Sequence, residues 1–359
     1  MKIAFLGDIA LIGQFSCLNS ENIDERISYL KQLLEGYDYV VANLESPLTN
    51  RKKSSVPKSM HLRSDEKNVR LLKFLGVKAV SLANNHMLDF GKQGLDDTIK
   101  LLEKKGIKWY GAYGKNLVET IKGERLSFSG FCCYSTNAFG YSEKNKGINA
   151  LTPFSLKEQL NRDVKEKCFS VLSLHWGIEH TNYPAIEHIK LIKELSANYS
   201  FIVHGHHPHQ IQGIQMYNNS LTAYSLGNAI FDKCTSINGN LTVELNEYNR
   251  RSFVLSVTID NRRIQQYSIS GFYIGNNGIE PYSIEEELAS ISKDLENINN
   301  ESLYQKRRRD QYSKVIKNKF GRHDLHWFLS RFNYYGIGAK IISIINCKRY
   351  LRTFDINRK

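Results

Sequence analysis

The chain has 359 residues, is 41% hydrophobic, 24% charged and 11% aromatic, and has only six prolines among 24 glycines. That excludes wholesale disorder and a collagen-like fibre. The net charge of +13 is unevenly spread: residues 301–359 hold 15 Lys and Arg against 4 Asp and Glu, and residues 1–300 are nearly neutral at +2.

Short apolar runs alternate with helical patterns through the first two thirds. Lys2–Leu6, Tyr37–Ala42, Val77–Leu82, Lys108–Tyr110, Leu126–Tyr134, Phe169–Leu174 and Phe201–Val203 read as strands. Between them, Ser64 is expected to cap a helix that stops at Gly76, Gly91–Lys105 forms a second, and Pro184 opens a third over Ala185–Asn198. From Ile211 the pattern becomes antiparallel: Ile211–Tyr217, Leu221–Leu226, Leu241–Leu245, Phe253–Ile259 and Arg262–Ile269 read as strands joined by short turns. Gly275–Gly278 and Leu295–Glu301 look like boundary segments, and residues 302–352 read as basic helices. The alternation argues an α/β fold with sheets covered by helices.

Six of the strands run into residues of metal-ligand type. The sequence continues into Gly7-Asp8, Asn43-Leu44-Glu45, Asn84-Asn85-His86 with Asp89 beyond, His175-Trp176, His204-Gly205-His206-His207-Pro208-His209 and Gly227-Asn228. Ligands bind outside the carboxyl ends of strands in open α/β sheets, so parallel neighbours bring these donors to one rim. Singly, Asp8 is explained as a turn residue and His175 as a core histidine. Four of the chain's 11 histidines within 204–209 are not so easily explained. His207 and His209, two apart on an extended segment, point the same way. Mixed carboxylate, imidazole and amide donors suit one or two divalent ions, Mn, Fe or Zn. In a dinuclear site the ions stand ~3.5–4 Å apart and acidify a shared water, so that hydroxide is available near neutral pH.

The segments GDIALIG, NLESPLT, SLANNHMLDFGKQGLDDTI, HWG, HGHHPHQIQGI and YSLGN resemble, in order, the motifs of the CapA-type capsule-synthesis (poly-gamma-glutamate capsule) family over roughly residues 1–235. That family is similar in turn to the calcineurin-like metallophosphoesterases. The resemblance implies a four-layer α/β/β/α sandwich over residues 1–274, followed by a basic, mainly helical region, 275–359. It implies that Asp8, Glu45, Asn85, His175, His207 and His209 bind metal, with Glu45 as the bridge. His86 becomes the acid catalyst, with Asp89 beside it, and Asn43, Asn84, His204, His206 and Asn228 support the ligands. Two positions depart from the metallophosphoesterase pattern: Ala10 stands where a histidine is expected, and the bridge is a glutamate rather than an aspartate.

The expected function is a metal-dependent hydrolase in capsule or surface-polymer biosynthesis. Metal-bound hydroxide would attack a phosphoester or a gamma-glutamyl amide, and His86 would protonate the leaving group. The alternative is a non-catalytic capsule-assembly factor that binds an anionic polymer. No GxSxG motif and no convincing Cys–His pair suggests another nucleophile, and the six cysteines, without a CxxC pair, read as reduced thiols. Ile3–Leu6 is too short for a signal peptide, and Tyr335–Cys347, broken by Lys340, is short of the ~20 residues of a membrane span. A cytoplasmic protein is expected, peripheral at the inner membrane face if residues 301–359 bind anionic lipid. In that tail Val315, Ile316, Phe320, Trp327, Phe328, Phe332, Ile341, Ile342, Ile344 and Ile345 interleave with Lys and Arg, to pack on the sandwich or lie on a bilayer. No nucleic-acid reading motif accompanies the charge, so nucleic acid is not an expected partner.

Overall fold

Alternation along the strands decides the layering, because successive side chains point to opposite faces. In the computed structural model, which describes residues 1–142, 146–237, 239, 241–296, 298, 300–320 and 332–356, Ile3 and Phe5 share a core with Val41, Phe128, Val171, Ile202 and Phe253. Their neighbours Ala4 and Leu6 face the opposite way, into a core with Val40, Ala42, Leu72, Leu95 and Leu102. On the far side, Leu172, Leu174, Phe201 and Val203 pack with Leu156, Leu160, Ile189 and Ile192. Three stacked cores require four layers, and the order is α/β/β/α. Strands buried on both faces explain the continuous apolar runs.

The first sheet runs, in spatial order, Ile279–Pro281, Arg263–Ile274, Arg251–Asp260, Lys2–Ile9, Tyr39–Leu44, Ala79–Ser81 and Lys108–Tyr110, with Asn228–Ile230 added parallel to the end of Lys2–Ile9. The second runs Ile214–Tyr217, Ser220–Ala223, Phe201–His206, Phe169–His175, Glu124–Cys132 and Leu117–Ile121. Both sheets are mixed. The late antiparallel strands do not form a layer of their own, because Arg251–Asp260 returns to pair with Lys2–Ile9.

Several boundaries differ from expectation. Ser64 does not cap a helix; its hydroxyl donates to the Leu11 carbonyl, and Asp65 caps a short 3-10 turn by accepting from the Lys67 N–H. The third expected helix is Ile186–Ser196, capped at Ala185, so Pro184 precedes it rather than opening it. A further helix, Pro153–Lys165, starts from a reciprocal capping box between Thr152 and Ser155. Leu221–Leu226 divides at Ala223, and in the 241–245 segment only Thr242–Val243 is strand. Gly275–Gly278 is a hairpin turn closed by a Gly275 N–H to Gly278 carbonyl bond, so the first sheet continues past Ile274.

Where strands approach most closely only glycine fits. A Cβ on Gly205 would lie 2.0 Å from the Tyr224 carbonyl oxygen, a backbone atom with little freedom to move. Gly205→Ala is therefore expected to lower stability by about 1–3 kcal/mol, the usual cost of overpacking, read as a lower urea midpoint at unchanged slope.

The basic tail forms helices Glu301–Phe320 and Tyr334–Thr353. Tyr304 is buried in the third core, where Tyr350 and Phe354 also pack, and Asn346 donates to the Ala138 carbonyl. Trp327 and Phe328 lie outside the described residues. Among the described residues no helix is long and apolar enough to cross a membrane.

Candidate metal centre

The donors come from both sheets, not from one. Asp8 ends Lys2–Ile9 and pairs with Asn43 at the end of Tyr39–Leu44; Glu45 follows one residue on. Asn84–Asp89 forms the turn after Ala79–Ser81. His175 closes Phe169–His175 and is in register with His206 at the end of Phe201–His206. The two rims meet, and every one of these side chains is buried.

Two groups of donor atoms have all members within 4.8 Å of one another: Glu45, His175 and His207, and Asp8, Glu45 and His209. Glu45 belongs to both. Its Oε1 lies 3.8 Å from His175 Nε2 and 3.6 Å from His209 Nε2, while Asp8 Oδ2 lies 3.5 Å from His209 Nδ1. Asn85 Oδ1 stands 2.9 Å from His175 Nε2, beside the first group. All six residues read from the sequence as ligands thus surround one site.

His207 and His209 reach it by a different route from the one expected. They are not on an extended segment: the strand stops at His206, and both have left-handed backbone, φ 96° and 55°. Residues other than glycine rarely adopt that conformation, and such strain concentrates at functional sites. The turn sends His207 toward Glu45 and His175, and His209 toward Asp8 and Glu45.

The supporting residues divide. Asn43 Nδ2 donates to Asp8 Oδ1 at 2.7 Å, and Asn84 bridges Asn43, the Leu44 carbonyl and the backbone N–H groups of His86 and Met87. Asn228 holds His209 Nδ1 at 2.8 Å and is itself anchored on the Asn249 carbonyl. His206 Nδ1 is 3.5 Å from Asp8 Oδ1, and neither of its ring nitrogens makes a hydrogen bond. His204, in contrast, packs its ring on that of His206, with centroids 3.9 Å apart, and directs its hydrogen bonds away from the six candidate ligands. It joins the sheets by bonding the Leu6 carbonyl at 2.6 Å and Ser173 Oγ at 3.1 Å, and burial pulls its imidazole down to about 3.

The donors fit a cation. Both Glu45 carboxylate oxygens, and Nδ1 of His175 and His207, are buried without a hydrogen bond. Burying a carboxylate that nothing pairs is costly. Burial, reinforced by the charge of Asp8, pushes Glu45 well above the usual carboxylate range, and burial also raises Asp8. Burial drives His175 and His207 down, His207 to about 3, which keeps both imidazoles neutral and able to donate lone pairs.

Beside these donors lies an ionic pair that sequence reading captured only in part. His86 Nδ1 bonds Asp89 Oδ2 at 2.6 Å, and Asp89 also accepts from the Leu62 N–H. Lys58, not foreseen, bonds Asp89 Oδ1 at 2.5 Å and the Asn85 carbonyl at 2.6 Å. Burial raises the Asp89 carboxyl, but Lys58 and His86 more than reverse this and hold it below the usual carboxylate range. Burial and then Lys58 lower His86, against the pull of Asp89. Asn249 was also missed: it links the His209 carbonyl to His180 Nδ1. Neither residue carries a local signal, for Lys58 follows Lys52 and Lys53 in a polar loop that reads as solvated.

Two facing mixed sheets between helical layers, with carboxylate, amide and imidazole donors at the strand ends, define a four-layer α/β/β/α sandwich with a candidate metal centre at its rim. Residues 2–233 match the family model described as bacterial capsule synthesis protein PGA_cap. The chain belongs to this family. It is 28% identical over 244 residues to the PGA biosynthesis protein CapA of Bacillus subtilis (strain 168), covering 65% of this chain and 64% of that protein. It is 29% identical over 248 residues to the capsule biosynthesis protein CapA of Bacillus anthracis, covering 65% and 60%. The chain therefore spans less than two thirds of the length of either relative. Among solved structures it is similar to a putative 5'-nucleotidase from Staphylococcus aureus, at TM-score 0.46 and 13% identity, covering 83% of this chain and 58% of that one.

Proposed function

We propose that this protein is a metal-dependent hydrolase of capsule or surface-polymer biosynthesis, acting on a phosphoester or a gamma-glutamyl amide of an anionic polymer or its phosphorylated precursor. The observation that carries the reading is the buried, unpartnered Glu45 carboxylate shared by two sets of donors. Glu45, His175 and His207, with Asn85 beside them, would hold one divalent ion, and Asp8, Glu45 and His209 a second. Such ions supply Lewis acidity and an acidified water when bound.

The chain's own residues do the rest. Asp89 accepts the Nδ1–H of His86, orienting the ring and favouring its imidazolium form, from which Nε2–H gives its proton to the leaving group and the ring returns to neutral. Lys58 balances the Asp89 charge and holds the Asn85 carbonyl, so it positions both the acid and a ligand. Lys58→Met is expected to reduce turnover about 10–100-fold, as loss of a supporting group around a metal site does. It should also cost about 3–5 kcal/mol of stability by leaving Asp89 buried without its partner. Activity and urea unfolding measured on one preparation check both.

The direct test is elemental analysis of protein purified without a histidine tag, followed by assays with Mn²⁺ on bis-p-nitrophenyl phosphate and gamma-glutamyl-p-nitroanilide. Metal in the protein with turnover of either substrate supports the reading. Filled sites with no turnover of either would favour the non-catalytic assembly factor.

A further inference from the structure

Helix Tyr334–Thr353 has two faces with different fates. On its inner side Tyr335 donates to the Ser54 carbonyl, Gly338 packs against Pro57, Asn346 bonds Ala138, and Tyr350 stands over His188. These residues are three, eight and four positions apart, spacings that keep them on one helical face. On the opposite side Ile337, Ile341, Ile344 and Ile345 are each 45–52% exposed, continuing from exposed Tyr334 and, just before the helix, Phe332. Large apolar side chains in one row on a surface mark an interaction site. A helix apolar on both sides wants cover on both, and here only the inner side has it.

The charges around that row indicate what covers it. The helix contains no Asp or Glu, and Lys340, Lys348, Arg349 and Arg352, all exposed, flank and continue the isoleucines. Lys306, Arg309 and Lys314 on Glu301–Phe320 add further exposed positive charge. A second copy of the chain meeting this face symmetrically would set these cations against their own equivalents, a like-charge arrangement that disfavours association. An anionic bilayer suits both features, since apolar side chains enter the boundary of the acyl region while Lys and Arg meet the headgroups.

We propose that the outer face of Tyr334–Thr353 docks the protein on an anionic membrane surface. The inference is independent of the hydrolase reading. The same helix braces the Ser54–Lys58 loop, with Tyr334 donating to the Ser55 carbonyl, so a docked bilayer lies on the side of the molecule that carries Lys58.

The test is flotation of the full chain with vesicles of phosphatidylcholine alone or of phosphatidylcholine and phosphatidylglycerol in a two-to-one ratio, at low and high salt. The full chain should float with the anionic vesicles at low salt and less at high salt. K348E/R352E should lower partitioning by on the order of fivefold or more per charge, and I341D/I344D should abolish it. Circular dichroism and an unchanged urea midpoint verify that the variants remain folded. The proposal is overturned if the full chain stays at the bottom, if it floats equally with neutral vesicles, or if folded variants float like the parent. It is also overturned if sedimentation shows a dimer that I341D/I344D dissociates while no flotation occurs, which would assign the face to a second copy.

Discussion

Replacing Glu45 by glutamine should reduce bound metal to background and remove activity, while leaving the metal-free protein as stable as the parent or more so. The two effects have one cause. Glu45 is fully buried, both oxygens lack hydrogen bonds, and it is the one residue common to both donor groups. Without a cation, its charge is an uncompensated cost, and neutralising it relieves that cost. With a cation, the same charge is the centre of the site. A ligand that binds only the folded state stabilises by about 2.7 kcal/mol at a hundredfold excess over its dissociation constant. The parent should therefore gain melting temperature on adding Mn²⁺ after chelation, and Glu45→Gln should gain none. His207→Ala should lower metal content only partway, since His207 serves one of the two groups and leaves Asp8, Glu45 and His209 in place. If Glu45→Gln kept its metal and its thermal shift, the centre would lie elsewhere.

His86→Ala should separate chemistry from metal binding. His86 is held by Asp89 and belongs to neither donor group, so its removal is expected to leave metal per chain unchanged. Turnover should drop by about 10²–10⁴-fold, the usual contribution of a positioned general acid. The loss should be smaller for a substrate whose leaving group is already a stable anion, such as p-nitrophenolate, than for an alkyl ester. That dependence on the leaving group is the signature of an acid and is not produced by general disruption. Equal metal loss in His86→Ala and His207→Ala would make His86 a ligand instead.

Much of the site was legible because metal chemistry concentrates in short segments. NLE, ANNH with Asp89, and HHPH each present donors within a few residues of a strand end, and apolar runs of strand length locate those ends without knowledge of the fold. The tail was legible in part. Its helical character and positive charge follow from composition, but the choice between packing and exposure does not, because Ile341 and Ile342 are adjacent in sequence and face different ways. Ile341 is 52% exposed, and its neighbour is partly covered.

The sequence by itself determined the α/β character, the three-to-six-residue clusters of ligand-type side chains, and membership in a capsule-synthesis family. Only the tertiary structure decided which donors share a centre. His175 and Glu45 belong to different sheets, and two rims meet only when the apolar faces of both sheets close on a common core. Left-handed backbone at His207 and His209, rather than strand alternation, aims those rings. His204, two residues from His206 and part of the same sequence cluster, bonds instead the Leu6 carbonyl of the facing sheet. Lys58 reaches Asp89 across 31 residues of chain, along a loop that Ser54 ties to the Asp89 carbonyl and the C-terminal helix contacts at Ser54, Ser55 and Pro57. Periodicity and motif chemistry are written within a few residues; a contact made by the closure of distant segments has no local signature, and burial alone turns an ordinary loop lysine into part of the site.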